Sequence, residues 1–395
     1  MAAGLRVAHL GKYYHPVHGG IETLVRELAH SQAALGCSVR VICMGHDRGA
    51  ATRVEADGPV EVVRLRRAAS VGKLDHCPDL AGAIRDCDCD VLHLHTPNPS
   101  MILGLLRSGN RRPLVISHHS DVVRQRLRRI LFGPLERVCY RRAEAILMGT
   151  PTYISGSKTL LRNAHRVAAV PYGLDLEPFL RPSAEVEAHG RAIRRVYPGP
   201  IWFAIGRHVY YKGFETAVRA MTSTPGTLLL AGDGPLRDSL ERLARRLNLG
   251  DRLRFLGRLP GKEDLIAHLL AATAFWFPSN ARSESYGIVQ VEAMASGCPV
   301  INTAIPHSGV PWVSPDGVSG LTVSVDDPAD LSSAACRLAN DPALREELAE
   351  GGRRRAIQEF GIELMARRTV EVYRAVMAGA GPGTRMDRRI VHAAT

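Results

Sequence analysis

A chain of 395 residues is too long for one ordinary hydrophobic core and suits two domains of roughly 150–200 residues each. Its 45% hydrophobic and 23% charged residues fit a packed globular protein and exclude a disordered or fibrous one. A net charge of +12 favours anionic partners; with aromatics at 5%, no zinc-finger spacing and no basic heptad helix, nucleic acid is not expected among them.

The first apolar run, Leu5 to Leu10, lacks the charged leader and long apolar core of a signal peptide. No run reaches the ~18–20 residues that cross a bilayer, so a cytoplasmic location is expected. Cysteines lie largely within apolar runs, as in a reducing compartment, and Cys87 with Cys89 lacks the second ligand pair of a zinc site.

In chain order, the first half alternates the runs LRVAHL, VRVIC, DVLHLHT, PLVISHH and AILMGT with helical patterns. This alternation means a parallel sheet with helices on both faces. A helix is expected over Glu22 to Leu35, with Leu24, Val25, Leu28 and Leu35 along one stripe and Gly36 ending it. The basic run Arg124 to Arg142 places Leu127, Ile130, Leu131, Leu135 and Val138 at helical spacing. Such a helix rests on an anionic membrane surface, or packs on a core with a solvated basic face, and Gly133-Pro134 should interrupt it.

The segment Val167 to Phe179 precedes a polar stretch, Arg181 to Pro200, where the domain crossover is expected. The second half reads IWFAIG, a helix over Phe214 to Met221, TLLLAGDGP, a helix over Leu236 to Leu247, LRFLG, a helix near Glu263 to Leu270, AFWFPS, a helix over Gly287 to Ser296, and PVINT. That is a second doubly wound domain. Helical patterns over Pro328 to Asn340, Pro342 to Phe360 and Glu363 to Met377 follow, and the Gly- and Arg-rich remainder should be disordered. The expected division is 1–180, 181–362, a helix at 363–378 returning to the first domain, and a tail at 379–395.

Open α/β sheets bind ligands outside the carboxyl ends of their strands, so the loops there carry the candidates. In NARSESYGIVQVEAMASGCPV, Glu284 lies in a strand-to-helix loop and Glu292 about two turns inside the helix. The N–H groups of Gly287 and Ile288 at the helix start suit a phosphate oxygen, and a flanking carboxylate suits sugar or ribose hydroxyls. A helix cap at Glu284 and a solvated face residue at Glu292 are the structural alternatives; the apolar run after Glu292 argues against the second. In AIGRHVYYKGFETAV, Arg207 and Lys212 are either solvated surface cations or a pair that can stabilise a diphosphate leaving group without a metal. Gly19 and Gly20 follow the first strand, where the backbone can approach a ligand closely or simply turn. His118, His119 and Asp121 stand at a strand end, where alternation should point one histidine into the site. Gly232 and Gly234 shape a turn before a helix, and Arg258 with Leu259 follows a strand.

The stretch Ser283 to Met294 resembles the Glu-x7-Glu motif of retaining glycosyltransferases of family 4, whose fold is GT-B, two facing Rossmann-like doubly wound parallel-sheet domains. The resemblance spans roughly Leu5 to Met377. It implies that Glu284 contacts the transferred sugar, the Gly287 and Ile288 amides the diphosphate, and Glu292 the ribose. The segment around Arg207 and Lys212 resembles the family's Gly-Arg…Lys-Gly motif, in which both cations grip the donor phosphates. Gly19 and Gly20 match the N-terminal loop facing those phosphates, and His119 matches a histidine near the transferred sugar, His118 being the weaker match. Gly232, Gly234, Arg258 and Leu259 would border the base, and Asp121 and Glu22 would lie on the acceptor side.

The resemblance thus implies a glycosyltransferase with Arg207, Lys212, Glu284 and His119 as catalytic residues and no metal or other cofactor. The string DCDCD, Asp86 to Asp90, matches the Asp-x-Asp of metal-dependent enzymes but precedes its strand instead of following it. The run VINTAIPHSGVPWVSPDGVSGLTV is similar to the subgroup that transfers mannose from GDP-mannose in O-antigen or exopolysaccharide assembly. Expected partners are a nucleotide-sugar donor, GDP-mannose or a UDP-sugar, and a glycan or lipid-linked acceptor at the inner face of the membrane. A nucleotide-sugar 2-epimerase or a non-catalytic nucleotide-sugar-binding module shares the architecture. An NAD-dependent dehydrogenase would need G-x-G-x-x-G after its first strand.

Overall fold

The computed structural model describes residues 4–17, 19–71, 74–121 and 126–381, apart from the side chains of 71 and 126–132. The expectations for Arg124 and for the tail beyond 381 lie outside the described residues. The chain divides into two compact units, one of residues up to Leu174 with those from Ile362 onward, the other Asp175–Gly361.

The first unit contains β1 (Arg6–Leu10), β2 (Ser38–Arg48), β3 (Arg53–Asp57), β4 (Val60–Arg67), β5 (Ala69–Val71), β6 (Leu74–His76), β7 (Val91–Thr96), β8 (Leu114–His118), β9 (Ala145–Met148) and β10 (Val167–Ala169). Eight form one sheet in the order β10-β9-β8-β7-β1-β2-β4-β3, and β5 pairs with β6 in a separate hairpin. The ladder is parallel except at the edge, where β3 runs antiparallel to β4. Central strands are buried along their whole length, as VLHLHT and LVISH are, which is why they read as runs and not as alternations. The Ile362–Met377 helix packs on the Gly20–Ala34 helix of the same unit. Its start is fixed by Ile362 N–H donating to the Leu174 carbonyl at 3.0 Å.

The helix Arg126–Arg142 runs through Pro134 without a break, contrary to the interruption expected there. Proline removes one helical hydrogen bond, but beyond it Cys139 and Tyr140 are buried, and Tyr140 hydroxyl bonds Thr96 Oγ1 at 2.8 Å. Tertiary packing outweighs the local cost.

The second unit contains β11 (Ile201–Ile205), β12 (Thr227–Ala231), β13 (Leu253–Gly257), β14 (Ala274–Phe277), β15 (Val300–Thr303) and β16 (Gly320–Val323). They form one parallel sheet in the order β13-β12-β11-β14-β15-β16. Trp202 of β11 and Trp276 of β14 stack at 5.4 Å within the core, with Trp202 Nε1 donating to the Pro225 carbonyl at 2.7 Å.

The division falls at Leu174/Asp175, ahead of the expected residue 180. Phe179 is the reason: its ring is buried in the second unit beneath Lys262 Nζ at 5.8 Å, and burial of such a side chain stabilises by about 1.5–3 kcal/mol. The polar stretch after it is largely helical, Ala184–Val196, capped by Ser183. Gly190 lets this helix meet the Lys262–Ala271 helix closely, since a Cβ there would lie 3.1 Å from the Ala267 carbonyl oxygen.

Candidate functional site

In the second sheet the chain leaves β11 for β12 on one side and returns to β14 on the other. Loops at the carboxyl ends of β11 and β14 therefore diverge over a crevice, the usual ligand position in an open α/β sheet. Lys212 closes a short 3-10 turn, Tyr210–Lys212, in the first loop. Gly213 follows at φ 64°, and any side chain there would overlap the Pro278 carbonyl. The glycine is what lets one loop lie against the other.

The consequence is an ion pair across the two loops: Lys212 Nζ lies 2.6 Å from Glu284 Oε2, with the side chains only 15% and 12% exposed. The ammonium also stands 5.0 Å over the Phe277 ring. The Glu284 backbone is held on both sides, its N–H donating to Ala281 at 2.9 Å and its carbonyl accepting from Ser308 Oγ at 2.6 Å. Asp326 accepts from Asn280 Nδ2 at 2.8 Å and from Thr216 Oγ1 at 3.3 Å, tying the loop after β14 to the helix after β11. Tyr211 sits among Glu284, Lys212 and Arg207, and burial, aided by the Glu284 charge, pushes its phenol up.

Gly287 caps the Ile288–Ala295 helix at φ 77° and ψ 66°, and a Cβ there would lie 2.6 Å from the Phe277 ring. Gln290 turns inward, bonding the Tyr286 carbonyl at 3.0 Å and Asn302 Nδ2 at 2.9 Å. The helix start thus offers backbone N–H groups and positive dipole at the crevice. Glu292 is half-buried on the same helix. Lys212 and the helix start suit an anion, and Glu284 can accept from hydroxyls.

Arg207 is exposed after β11. Its loop is laced to the Gly232–Gly234 turn by His208 N–H donating to the Asp233 carbonyl at 2.9 Å and Leu236 N–H to the His208 carbonyl at 3.1 Å. Arg258 is exposed and Leu259 half-buried, both beyond the edge strand β13. Sequence reasoning missed Ser308, Asn280 and Asp326, whose only signal is that they too follow strands.

In the first unit, Glu22 folds its carboxylate back over Gly19, where a side chain would overlap it, and Gly20 is exposed at the helix start. His118 and His119, one of which alternation should point into the site, are both buried. His118 bonds the Tyr140 hydroxyl at 2.5 Å through Nδ1 and faces Asp121 at 3.2 Å through Nε2. Asp121 also accepts from Ser157 Oγ at 2.8 Å. His119 bonds His95 at 3.1 Å and the Tyr172 hydroxyl at 3.0 Å, so both of its ring nitrogens are engaged inside the unit.

His119 ends a longer network. Gln32 Oε1 accepts from His9 Nε2 at 2.8 Å, His9 Nδ1 meets His95 Nε2 at 3.0 Å, and His95 Nδ1 meets His119 Nε2. With Gln32 accepting, each ring must donate from Nε2 and accept at Nδ1, and Tyr172 supplies the last proton. His93 is bound by the Tyr373 hydroxyl at 2.5 Å and Ser117 Oγ at 2.7 Å. Burial pushes His9 down to about 4 and His119 to about 3, and holds His93 and His95 well below the usual imidazole range. His9, His93 and His95 bring their nitrogens within 4.8 Å of one another, but every one already has a hydrogen-bond partner. The carboxylates of Asp88 and Asp90, from the Asp-x-Asp string, pair with Arg6.

The family description "Glycosyl transferase 4-like domain" matches residues 19–173, and "Glycosyl transferases group 1" matches 191–355. The chain is 30% identical over 360 residues to the D-rhamnosyltransferase WbpZ of Pseudomonas aeruginosa, covering 90% of this chain and 92% of that protein. It is 27% identical over 381 residues to O-antigen chain mannosyltransferase C of Escherichia coli, covering 94% and 99%. Among solved structures, Anabaena Alr3699/HepE in complex with UDP-glucose matches with a TM-score of 0.72 at 18% identity, over 94% of this chain and 100% of that one. The chain belongs to the family 4 glycosyltransferases of GT-B fold and is a hexosyltransferase of polysaccharide biosynthesis.

Proposed function

We propose that the enzyme transfers mannose from GDP-mannose, with retention of anomeric configuration and without a metal, to a glycan or lipid-linked acceptor. The observation that carries this reading is the Lys212–Glu284 pair at the crevice between β11 and β14, a cation for the leaving diphosphate beside a carboxylate for the sugar. Arg207 would add a second cation, the Gly287 and Ile288 amides would hold the diphosphate, and Glu292 the ribose. Gly232, Gly234, Arg258 and Leu259 would border the base. His119 would act through the shape of its loop, since its ring nitrogens are engaged. Mannose is supported by the likeness to the O-antigen mannosyltransferase, and a nucleotide-sugar donor by the UDP-glucose complex of HepE.

The site of action would be the cytoplasmic face of the membrane, reached through the basic run Arg124 to Arg142. Among the described residues no helix is long and apolar enough to cross a membrane. The test is product analysis with GDP-mannose, UDP-glucose and ADP-glucose against prenyl-linked acceptors, with and without EDTA. The reading expects GDP-mannose turnover that survives EDTA and a retained anomer by NMR. Turnover with UDP-sugars alone, abolition by EDTA, or an inverted product would overturn the corresponding part of it.

A further inference from the structure

Cys87 and Cys89 stand in the short segment between the Leu80–Arg85 helix and β7. Exposure alternates along it: Asp86 and Asp88 face solvent, while both cysteines turn into the core of the first unit. The segment is clamped from outside. Arg6 pairs with Asp88 and, at 2.7 Å, with Asp90, and Arg112 Nη1 donates to the Cys89 carbonyl. Both thiols are free, and they are held side by side.

Packing alone would account for two small buried side chains, but not for the polar groups gathered at one of them. The Cys89 thiol hydrogen-bonds the Cys87 sulfur, Arg40 Nη1 lies 3.8 Å from it, and Arg112 adds a second positive charge. These partners, the Cys89 thiol foremost, push the Cys87 thiol down to about 6, while the same contact with Cys87 holds Cys89 well above the usual thiol range. Cys43 supplies the contrast. Arg64 Nη1 lies 3.9 Å from its sulfur, yet burial pushes that thiol up to about 12, so a guanidinium alone does not make a buried thiolate. Burial likewise raises Cys77, Cys139 and Cys298.

We infer that Cys87 and Cys89 form an oxidation site, a nucleophilic thiolate beside its resolving thiol, with hydrogen peroxide as the oxidant. The Cys87 thiolate takes one peroxide oxygen as the O–O bond breaks and hydroxide leaves, giving a sulfenic acid. The Cys89 sulfur then displaces hydroxide from Cys87, and its thiol proton departs with that hydroxide as water. Two thiols are oxidised to one disulfide, and the peroxide is reduced to two waters. A disulfide spanning a single intervening residue is strained and therefore easily reduced again by a dithiol.

The test treats the reduced full chain with equimolar hydrogen peroxide at pH 7, quenches it with iodoacetamide in denaturant, and maps the tryptic fragments. The fragment Asp86–Arg107 holds Cys87 and Cys89 and no other cysteine. It should lose two hydrogens and escape alkylation at least about tenfold faster than Cys37 or Cys336 is oxidised, although those two are the more exposed cysteines. Dithiothreitol should restore it. Cys89→Ser should stop the reaction at a Cys87 sulfenic acid that dimedone traps, and Arg40→Leu should slow oxidation about tenfold. The wild-type map carries the test if either variant fails to fold. Oxidation that begins at Cys37 or Cys336 overturns the inference, as does a Cys87 that the native protein alkylates at pH 7 no faster than those two. A sulfenic acid that persists in the wild type removes Cys89 from the resolving role and overturns it equally.

Discussion

The Lys212 ammonium and the Glu284 carboxylate, 2.6 Å apart, come from two loops that meet only because β14 returns beside β11. Each neutralises the other while both are largely shielded from water, so the two deletions should not be equivalent. Glu284→Ala frees the cation for a diphosphate: nucleotide affinity holds or rises while kcat falls by about 10²–10³. Under the proposed donor placement, Lys212→Met removes the cation and leaves a shielded carboxylate, so nucleoside-diphosphate binding weakens by roughly 10- to 100-fold. Calorimetry with GDP beside turnover measurements checks both, and full activity in Glu284→Ala would sink its catalytic assignment.

Gly287 carries two constraints that can be separated. Its φ of 77° is strained for any other residue, and a Cβ would lie 2.6 Å from the Phe277 ring. Gly317 has a similar φ of 67° but nothing within 4 Å of its Cβ position. Gly317→Ala should therefore cost about 1 kcal/mol from strain, and Gly287→Ala roughly 2–3 kcal/mol or more from strain and overlap together. Urea unfolding measures the difference; equal losses would show that Phe277 yields freely.

The buried imidazoles predict an acid-sensitive fold. An unfolded histidine takes its proton near pH 6.5, whereas burial holds His9 neutral down to about 4 and His119 to about 3. Between those limits the unfolded chain binds more protons, so stability is complete above about 6.5 and is lost as the pH falls, by up to about 1.4 kcal/mol per pH unit per group. Asp57, which Arg26 holds below the usual carboxylate range, begins to cost stability only near pH 4 and lower. Unfolding free energies should already decline from pH 7 to 5, less steeply in His119→Phe. A flat profile over that window contradicts the neutral network.

The parts of this molecule legible in its sequence are those where chemistry and local pattern coincide. Runs such as TLLLA and AFWF are buried throughout, which only strands inside a covered parallel sheet require. Arg207, Lys212 and Glu284 stand out because charge beside such runs is uncommon. The helix Ala184–Val196 is hidden because only Val186, Gly190 and Ile193 are buried in it, and the edge pair β3–β4 because charged side chains interrupt its alternation. The histidine network is a matter of register: His9 and His93 are adjacent only because β1 pairs with β7, which no local pattern encodes.

Tyr373 is the point at which that register depends on the chain's return from the second unit. Its hydroxyl lies 2.5 Å from His93 Nδ1 and accepts from Gln32 Nε2 at 3.2 Å, all within a fully buried environment. Tyr373→Phe keeps the ring and leaves no cavity, but strands an imidazole nitrogen and an amide N–H, at a cost of about 1–3 kcal/mol. Gln32→Leu removes one of those groups in advance, so the double variant should lose less than the two singles combined, by about 0.5 kcal/mol or more. Additive losses, measured by urea unfolding, would mean that the hydroxyl is not part of one connected network. Because Tyr373 follows Gly361 in sequence while Gln32 and His93 precede Asp175, the network cannot close until the whole second unit has been made. A chain cut before Ile362 would therefore leave the first unit with an uncovered Gly20–Ala34 helix and an unsatisfied His93, and should be far more sensitive to proteolysis than the loss of one helix alone suggests.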